Sequence, residues 1–581
     1  MDYKEGDLHA LLGLDIGYVN TRASYFEIIK EKFSLQARGS ASSSLGYGLQ
    51  PASGAGSAMK YLQSRSDVHI LQPNGTLIWP FYETGLGVDR IAVTISAGPK
   101  LRTVLLGLSE EGSLRAGRAL IQSQPLQLVG TFGLSALTDQ SNLVDDLVAL
   151  HPDIVILTGG ENGGAEREMQ QWIDVVRLVC NLLPGPSKPH VMYAGNVLLE
   201  EMVKRNLEAV SALTVLPNIR PYQGDRDLLP AMSALNRIIV NLWQEKLPGF
   251  KSLTARTKAT VGTKSFSLER MVRFLSQTNK KNQKGVLALD LGGGSTVLAA
   301  GSNGRTGALS QPAWRDVENL INSDLVDDVY RWTAESVSRE EVRQFLCNHA
   351  LTPSFVPEDP LGSAMSQAYT RCRIRCANRQ FAQNHPWYPY EPGKGLVGQF
   401  EPIIASGAVI TTAVSPGQRL MTLVDGLQPW GVTTFVLDRY HIFPLLGVAG
   451  AFSPVLPVHI LSSDIFENLG TVITAVSDQP EDTPILIIRV AMDNGKDYDV
   501  EINQGSLKRL VIPPEVHAEL TLKPYNGTDI GFGGCGAGGR LKVPGGRMGV
   551  IVDARGRPLS LPADDEQRMA MLKRWSVILG S

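Results

Sequence analysis

Little in this sequence points to a metal scaffold, to secretion or to nucleic acid. The five cysteines (Cys180, Cys347, Cys372, Cys376, Cys535) never fall in a Cys-x-x-Cys spacing, which argues against a zinc site and against a disulfide framework. Cys372 and Cys376, four apart in the basic segment Arg371 to Arg379, read as neighbours on a helix. An excess of charge is also missing. The net charge of −2 argues against nucleic-acid binding driven by phosphate neutralisation. No long apolar run survives inspection: the most apolar window, His441 to Leu461, contains Pro444, Pro454, Pro457 and two histidines, so it reads as a buried helix followed by a loop and not as a membrane span. Met1-Asp2-Tyr3-Lys4-Glu5 lacks the basic-then-apolar order of a signal peptide. The expectation is a cytoplasmic chain, in which the sequons at Asn74 and Asn526 carry no meaning.

What is present is a globular composition, 43% hydrophobic and 19% charged, over 581 residues, too many for one core and enough for several domains. The segment Gly285 to Gly301 organises the chain. An apolar run ends at Asp290, a turn of Gly292, Gly293, Gly294, Ser295 and Thr296 follows, and a second apolar run returns. Glycines admit close backbone approach, and successive amides in such a turn make a concavity for phosphate oxygens. A carboxylate at the strand end suits a hydrated Mg²⁺. The start of the chain repeats the pattern: Leu11 to Ile16 contains Asp15, then Gly17, Tyr18, Asn20 and Thr21 lead into another apolar run. Two Asp-x-Gly hairpins far apart in one chain imply a duplicated lobe holding one nucleotide. The pair resembles the two phosphate loops of the actin, hexokinase and heat-shock-chaperone ATPase superfamily.

Between the hairpins, Ala37 to Ser57 is rich in Gly, Ser and Ala without an apolar period and reads as a mobile surface loop. Ile91 to Ile95 and Thr103 to Leu106 read as strands completing the sheet of the first hairpin. Asp153 to Leu157 reads as a strand buried on both faces, ending in the loop Thr158-Gly159-Gly160-Glu161-Asn162-Gly163-Gly164. A helix from Ala165 puts Met169, Trp172, Ile173, Val176, Cys180 and Leu183 on one core face. His190 to Tyr193 is the next strand, so the arrangement is parallel, with ligands at the strand C-terminal ends and the Thr158 loop facing the same nucleotide. Helices follow at Pro230 to Leu247, Ser267 to Leu275 and, with a charged solvated face, Asp324 to His349. Glu401 to Ile410 is a strand running into a small-residue turn at Ser406 and Gly407.

After Pro454 short strands replace helical periods, with Asp493-Asn494-Gly495 as a hairpin turn, which predicts a C-terminal antiparallel β-domain. Its glycine tract, Gly531 to Gly539, is either an anion-binding nest or a flexible loop or barrel corner. The expected domains are 1–230 (first lobe), 231–455 (second lobe) and 456–581 (β-domain).

The order of the motifs Pro152 to Gly160, Tyr193-Ala194-Gly195-Asn196 and Asp290-Leu291-Gly292-Gly293 resembles the glutamate mutase L family, actin-like ATPases found with coenzyme-B12-dependent mutases. The resemblance covers roughly residues 8 to 450. It implies an α/β, ribonuclease H-like fold of two related lobes with ATP or ADP between them. Asp15 and Asp290 would orient Mg²⁺. Gly17, Gly292, Gly293 and Gly294 would cradle phosphates, aided by Asn20, Thr21, Thr158, Gly159, Gly160, Ser295 and Thr296. Ser406 and Gly407 would border the adenosine, and Glu161 would either orient the attacking water or serve as a helix N-terminal acid. Departures from the family pattern are Tyr18 where Ser or Thr is usual, Val297 where an acid is usual, Asn162 for Asp and Ala408 for Gly; together they argue against fast hydrolysis. Three functions compete: an ATP-driven helper of a B12-dependent mutase, a nucleotide-bound scaffold or filament subunit that self-associates, and a small-molecule kinase, the last disfavoured because no substrate-binding acid is evident.

Overall fold

A computed structural model of the chain describes residues 8–43, 50–81, 85–224, 226–255, 259–278, 284–312, 324–391, 395–413, 415–525 and 527–580. It divides into two compact units. One comprises Met1–Tyr25, Ala37–Ser267 and Ala308–Gln311, the other Phe26–Gln36, Leu268–Gly307 and Pro312–Ser581.

Ten strands carry the duplication. They are β1 (Ala10–Ile16), β2 (Asn20–Ile29), β3 (Lys32–Ser42), β4 (Arg90–Ile95), β5 (Thr260–Thr263), β6 (Gly285–Leu291), β7 (Ser295–Ser302), β8 (Arg305–Pro312), β9 (Phe400–Ser406) and β10 (Pro429–Leu437). The first five form a sheet in the order β5-β4-β1-β2-β3, and the second five repeat it as β10-β9-β6-β7-β8. In each set the central strand starts a hairpin and pairs in parallel with the fourth strand, which pairs in parallel with the fifth. Both central strands are buried along their whole length, the pattern of strands whose sheet is covered on both faces. This repeated five-strand order is the two-lobed, ribonuclease H-like fold of the actin-like ATPases.

The first unit holds a second sheet of five parallel strands, in the order Leu126–Phe132, Leu101–Leu106, Ile154–Leu157, His190–Tyr193 and Ala212–Val215. The strand expected around Thr103 therefore joins this sheet, while Arg90–Ile95 alone pairs with the first hairpin. The helix Glu166–Leu182 buries Met169, Trp172, Ile173, Val176 and Cys180 against it, as the 3.6-residue period requires.

The loop expected over Ala37 to Ser57 takes a different form. Ala37 to Ser42 complete β3, Pro51 opens a helix that runs to Ser64, and residues 44–49 lie outside the described residues. The small residues serve packing: a Cβ on Gly39 would sit 2.1 Å from the Ala58 carbonyl oxygen, and one on Gly54 3.0 Å from Thr21 Oγ1. Absence of an apolar period reflected close backbone contact, which no large side chain permits.

The C-terminal strands are present, and the Asp493-Asn494-Gly495 hairpin joins Pro484–Met492 to Asp497–Asn503. Four strands form an antiparallel sheet, in the order Asp497–Asn503, Pro484–Met492, His517–Pro524, Gly539–Pro544. Three others do not stand apart. Glu467–Thr474 pairs with β10, Val550–Asp553 pairs with Glu467–Thr474, and Leu507–Leu510 closes the row, so the second lobe's sheet continues into this segment. Val432 of β10 shares one apolar cluster with Ile473, Ile488, Leu520 and Val552. The physical reason is that β10 would otherwise be an open edge with unpaired backbone groups. At the start of the glycine tract the backbone approaches β10 closely: a Cβ on Gly531 would lie 2.9 Å from Gly431 Cα, and both glycines have φ above +80°, while Gly533 and Gly534 have nothing within 4 Å.

Candidate nucleotide site

The two Asp-x-Gly hairpins share a turn bond and a strand-to-strand bond. Gly17 N–H donates to Asn20 O at 3.0 Å, and Gly292 N–H donates to Ser295 O at 3.0 Å. Asp15 lies opposite Thr94 in the parallel register, and Asp290 lies opposite Ser406. In both, the hydroxyl on the neighbouring strand donates to the carboxylate: Thr94 Oγ1 to Asp15 Oδ1 at 2.8 Å, and Ser406 Oγ to Asp290 Oδ2 at 2.6 Å. Both carboxylates are buried, at 0% and 1% exposure, while Tyr18 to Asn20 and Gly292 to Ser295 remain half-buried at the turn.

The charge around the two carboxylates differs in sign. Lys264, just beyond β5 and buried, places Nζ 3.0 Å from Asp15 Oδ1 and 3.2 Å from Oδ2, and Arg22 Nη1 lies 3.6 Å away. On the other hairpin the residue just beyond β10 is Asp438. Its carboxylate accepts from the backbone N–H of Tyr440 (3.3 Å), Ile442 (3.0 Å) and Phe443 (2.8 Å). Burial, opposed by these bonds and reinforced by the charge of Asp290, pushes its carboxyl up to about 6. The buried Arg373 from the helix Pro360–Asn384 donates from Nη2 to Gly292 O (2.7 Å) and from Nε to Thr296 Oγ1 (3.1 Å), and so fixes the shape of the second turn.

The remaining expected residues are placed as follows. Thr21 is buried with its hydroxyl 2.8 Å from that of Ser43, so its side chain is committed inside the lobe. Thr158 is buried and donates to Ser113 O at 3.2 Å. Gly159 and Gly160 have φ of 137° and 70°, conformations that favour glycine. Their loop is pinned by Asn218 Nδ2 on Gly160 O and Asn162 Oδ1, and by Asn196 on Gly163 N–H and Gly164 O. Glu161 is exposed on that loop, five residues before the helix begins at Glu166. Gly407 has φ of 100°, and a Cβ there would meet the Leu291 backbone at 2.3 Å, so the turn after β9 is locked against the end of β6.

Within the first unit the structure brings Asp15 together with Lys264, Arg22 and Thr94; within the second, Asp290 with Ser406, Asp438 and Arg373. Sequence reasoning missed Lys264, Arg22, Asp438 and Arg373. Lys264 and Asp438 each directly follow the fifth strand of a lobe, a signal visible once the duplicated order is known.

Two buried strand-end carboxylates, each with a hydroxyl donor beside a half-buried turn, sit on the duplicated sheets of the actin-like ATPase fold. The MutL protein family matches residues 11–465, and the chain belongs to that family. No curated protein matches it. Among solved structures it is similar to an acetone carboxylase in nucleotide-free form (12% identity, 86% of this chain and 81% of that one, TM-score 0.32). Others are a xylulose kinase from Bifidobacterium adolescentis (11%, 78% and 93%, 0.28) and a diol dehydratase-reactivating factor in nucleotide-free form (9%, 77% and 100%, 0.31). Among the described residues no helix is long and apolar enough to cross a membrane, and no group of three or more His, Cys, Asp or Glu is placed to hold a metal.

Proposed function

We propose that the protein binds ATP or ADP with Mg²⁺, hydrolyses ATP slowly, and through that cycle assists or reactivates a coenzyme-B12-dependent mutase. The observation that carries the nucleotide reading is the doubled hairpin, in which a buried Asp is held by the hydroxyl of its register partner on the adjacent strand. The mutase is the partner chemistry that membership of the family suggests.

The divalent cation fits the Asp290 side. There a carboxylate sits near the raised carboxyl of Asp438, an environment that a cation relieves, whereas Lys264 and Arg22 already supply positive charge to Asp15. Mg²⁺, when bound, would neutralise phosphate charge. Asp290 would orient its water shell, and Asp15 would hold Lys264 in place as a phosphate-side cation. The backbone amides of Gly17, Asn20, Gly292, Gly293 and Gly294, with the Ser295 hydroxyl, would cradle the phosphates, and Arg373 would keep the second cradle in shape. Since the Ser406 hydroxyl is committed to Asp290, the adenosine would be bordered by the backbone at Gly407. Glu161, exposed on its pinned loop, would orient the attacking water.

Slow turnover is the reading that Tyr18 supports, since this residue, half-buried at the first turn, stands where the family pattern has a small hydroxyl. The test is ATP turnover with and without the mutase. Turnover well below the ordinary enzyme median of about 10 per second when alone, with retention of the mutase on immobilised protein in a nucleotide-dependent manner, supports the proposal. Fast turnover alone, or pelleting with ATP and no mutase retained, would favour the competing filament or kinase readings.

A further inference from the structure

The second unit holds a cleft of about 430 Å³ that is lined by none of the residues assigned above to nucleotide or Mg²⁺. Its walls come from the helices Leu325–Trp332, Pro360–Asn384, Pro416–Leu427 and Asp565–Leu579. The last of these lies beyond the part of the chain that the family matches, so the cleft is completed by the C-terminal segment. Trp332, Met421, Leu572 and Trp575 supply aromatic and apolar wall and Gln367 a polar edge; the charged lining is Arg371 with Asp425, and Lys573 paired with Glu335 at 2.9 Å.

Arg371 is the informative residue. Its side chain is only 7% exposed, and its Nε donates to Asp425 Oδ2 at 3.0 Å. Neither Nη group has a hydrogen-bond partner among the described residues, so the outer edge of the guanidinium is left to the cleft it lines. Behind it runs a buried ionic cluster. Asp425 Oδ1 accepts from Arg555, and Asp553 accepts from both Arg555 and Arg557, at 2.8 to 2.9 Å. Within this cluster three guanidiniums thus face two carboxylates, leaving one guanidinium in excess, and every side chain is at most 7% exposed. A buried surplus charge is costly unless an anion meets it. The indole N–H of Trp575, on the same wall, is also buried without an acceptor among the described residues.

We propose that this cleft binds a small organic monocarboxylate with a flat, apolar body, its carboxylate taken by the Nη edge of Arg371. A guanidinium edge and a carboxylate match as a bidentate pair. One negative charge cancels the surplus of the cluster, which two would overshoot. The volume falls in the range of small-molecule sites, and Trp332 and Trp575 give a planar ligand two aromatic neighbours.

The probe is phenylacetate, titrated into the full chain by calorimetry beside its neutral isostere phenylacetamide and inorganic phosphate. Phenylacetate is expected to bind one per chain, with a dissociation constant of about 1 mM or tighter. Phenylacetamide is expected to be weaker by about ten-fold or more, and phosphate should not displace phenylacetate at equal concentration. Arg371→Met balances the cluster at two against two and is expected to abolish binding. Ser363→Phe fills the cleft from a half-buried position on the helix Pro360–Asn384 while leaving every charged residue of the cluster in place, and is expected to abolish it too. If Arg371→Met does not fold, Ser363→Phe decides. No phenylacetate binding, equal binding of the amide, displacement by phosphate, or wild-type affinity in a folded variant would each overturn the proposal.

Discussion

Replacing Lys264 with Met would test how Asp15 is held. The lysine is 5% exposed and lies within 3.0 to 3.2 Å of both carboxylate oxygens of an aspartate that is fully buried. Removing one partner of such a pair costs about 3–5 kcal/mol, since the other charge stays buried. Arg22, at 3.6 Å and 20% exposed, and the Thr94 hydroxyl at 2.8 Å remain, which puts the expected loss near the lower end, about 3 kcal/mol. For a unit of this size that is a fall in melting temperature of roughly 6–12 °C. Asp15→Asn should cost a similar amount, because it strands the ammonium. The double variant removes both charges and should be no less stable than either single one, a coupling of about 2 kcal/mol or more in the cycle. Thermal melting of the four proteins measures it. Losses that add within about 0.5 kcal/mol would refute the pairing and, with it, the reason for giving Mg²⁺ to the Asp290 side.

Asp438 sets a pH dependence. Its folded value of about 6 exceeds the ordinary 3.8, so the folded state prefers it protonated; its favourable contribution is complete below about 4 and is lost as pH rises to about 6, by up to about 3 kcal/mol. Asp438→Asn cannot titrate, so wild type should lose stability relative to it across that window, and a constant difference in melting temperature would contradict the assignment. Gly407→Ala should cost about 3 kcal/mol or more, as its φ of 100° and a 2.3 Å approach to the Leu291 backbone leave no room. Gly56→Ala, in a helix with nothing within 4 Å, should instead stabilise by about 0.5–1 kcal/mol, and equal effects at both sites would contradict the geometry. Truncation after Ser453 should give an insoluble protein, because it strips Glu467–Thr474 from β10 and opens the shared apolar cluster; a soluble product that binds nucleotide would overturn that reading.

The strand-turn-strand grammar around Asp15 and Asp290 was legible because short-range signals carry it: an apolar run, a glycine, a hydroxyl. The helix Glu166–Leu182 was legible for the same reason, its buried face recurring at helical spacing. What escaped were partners separated by long stretches of chain. Lys264 is 249 positions from Asp15, and Arg373 is 81 from Gly292, and nothing local marks either as belonging to a turn. The C-terminal strands were visible as strands, but that three of them extend the second lobe's sheet is a matter of which edge needed cover. The Ala37 to Ser57 stretch misled because smallness for close packing and smallness for looseness look the same in one dimension.

The central claim is that the duplicated hairpins hold a nucleotide with its metal, and calorimetric titration of ATP into the full chain with and without Mg²⁺ tests it most directly. The account predicts one ATP per chain, a stabilisation of about 2.7 kcal/mol at a hundred-fold excess over the dissociation constant, and loss of most of the Mg²⁺-dependent part in Asp290→Asn. No binding at millimolar ATP, or a Mg²⁺ effect untouched by Asp290→Asn in a folded protein, would contradict it.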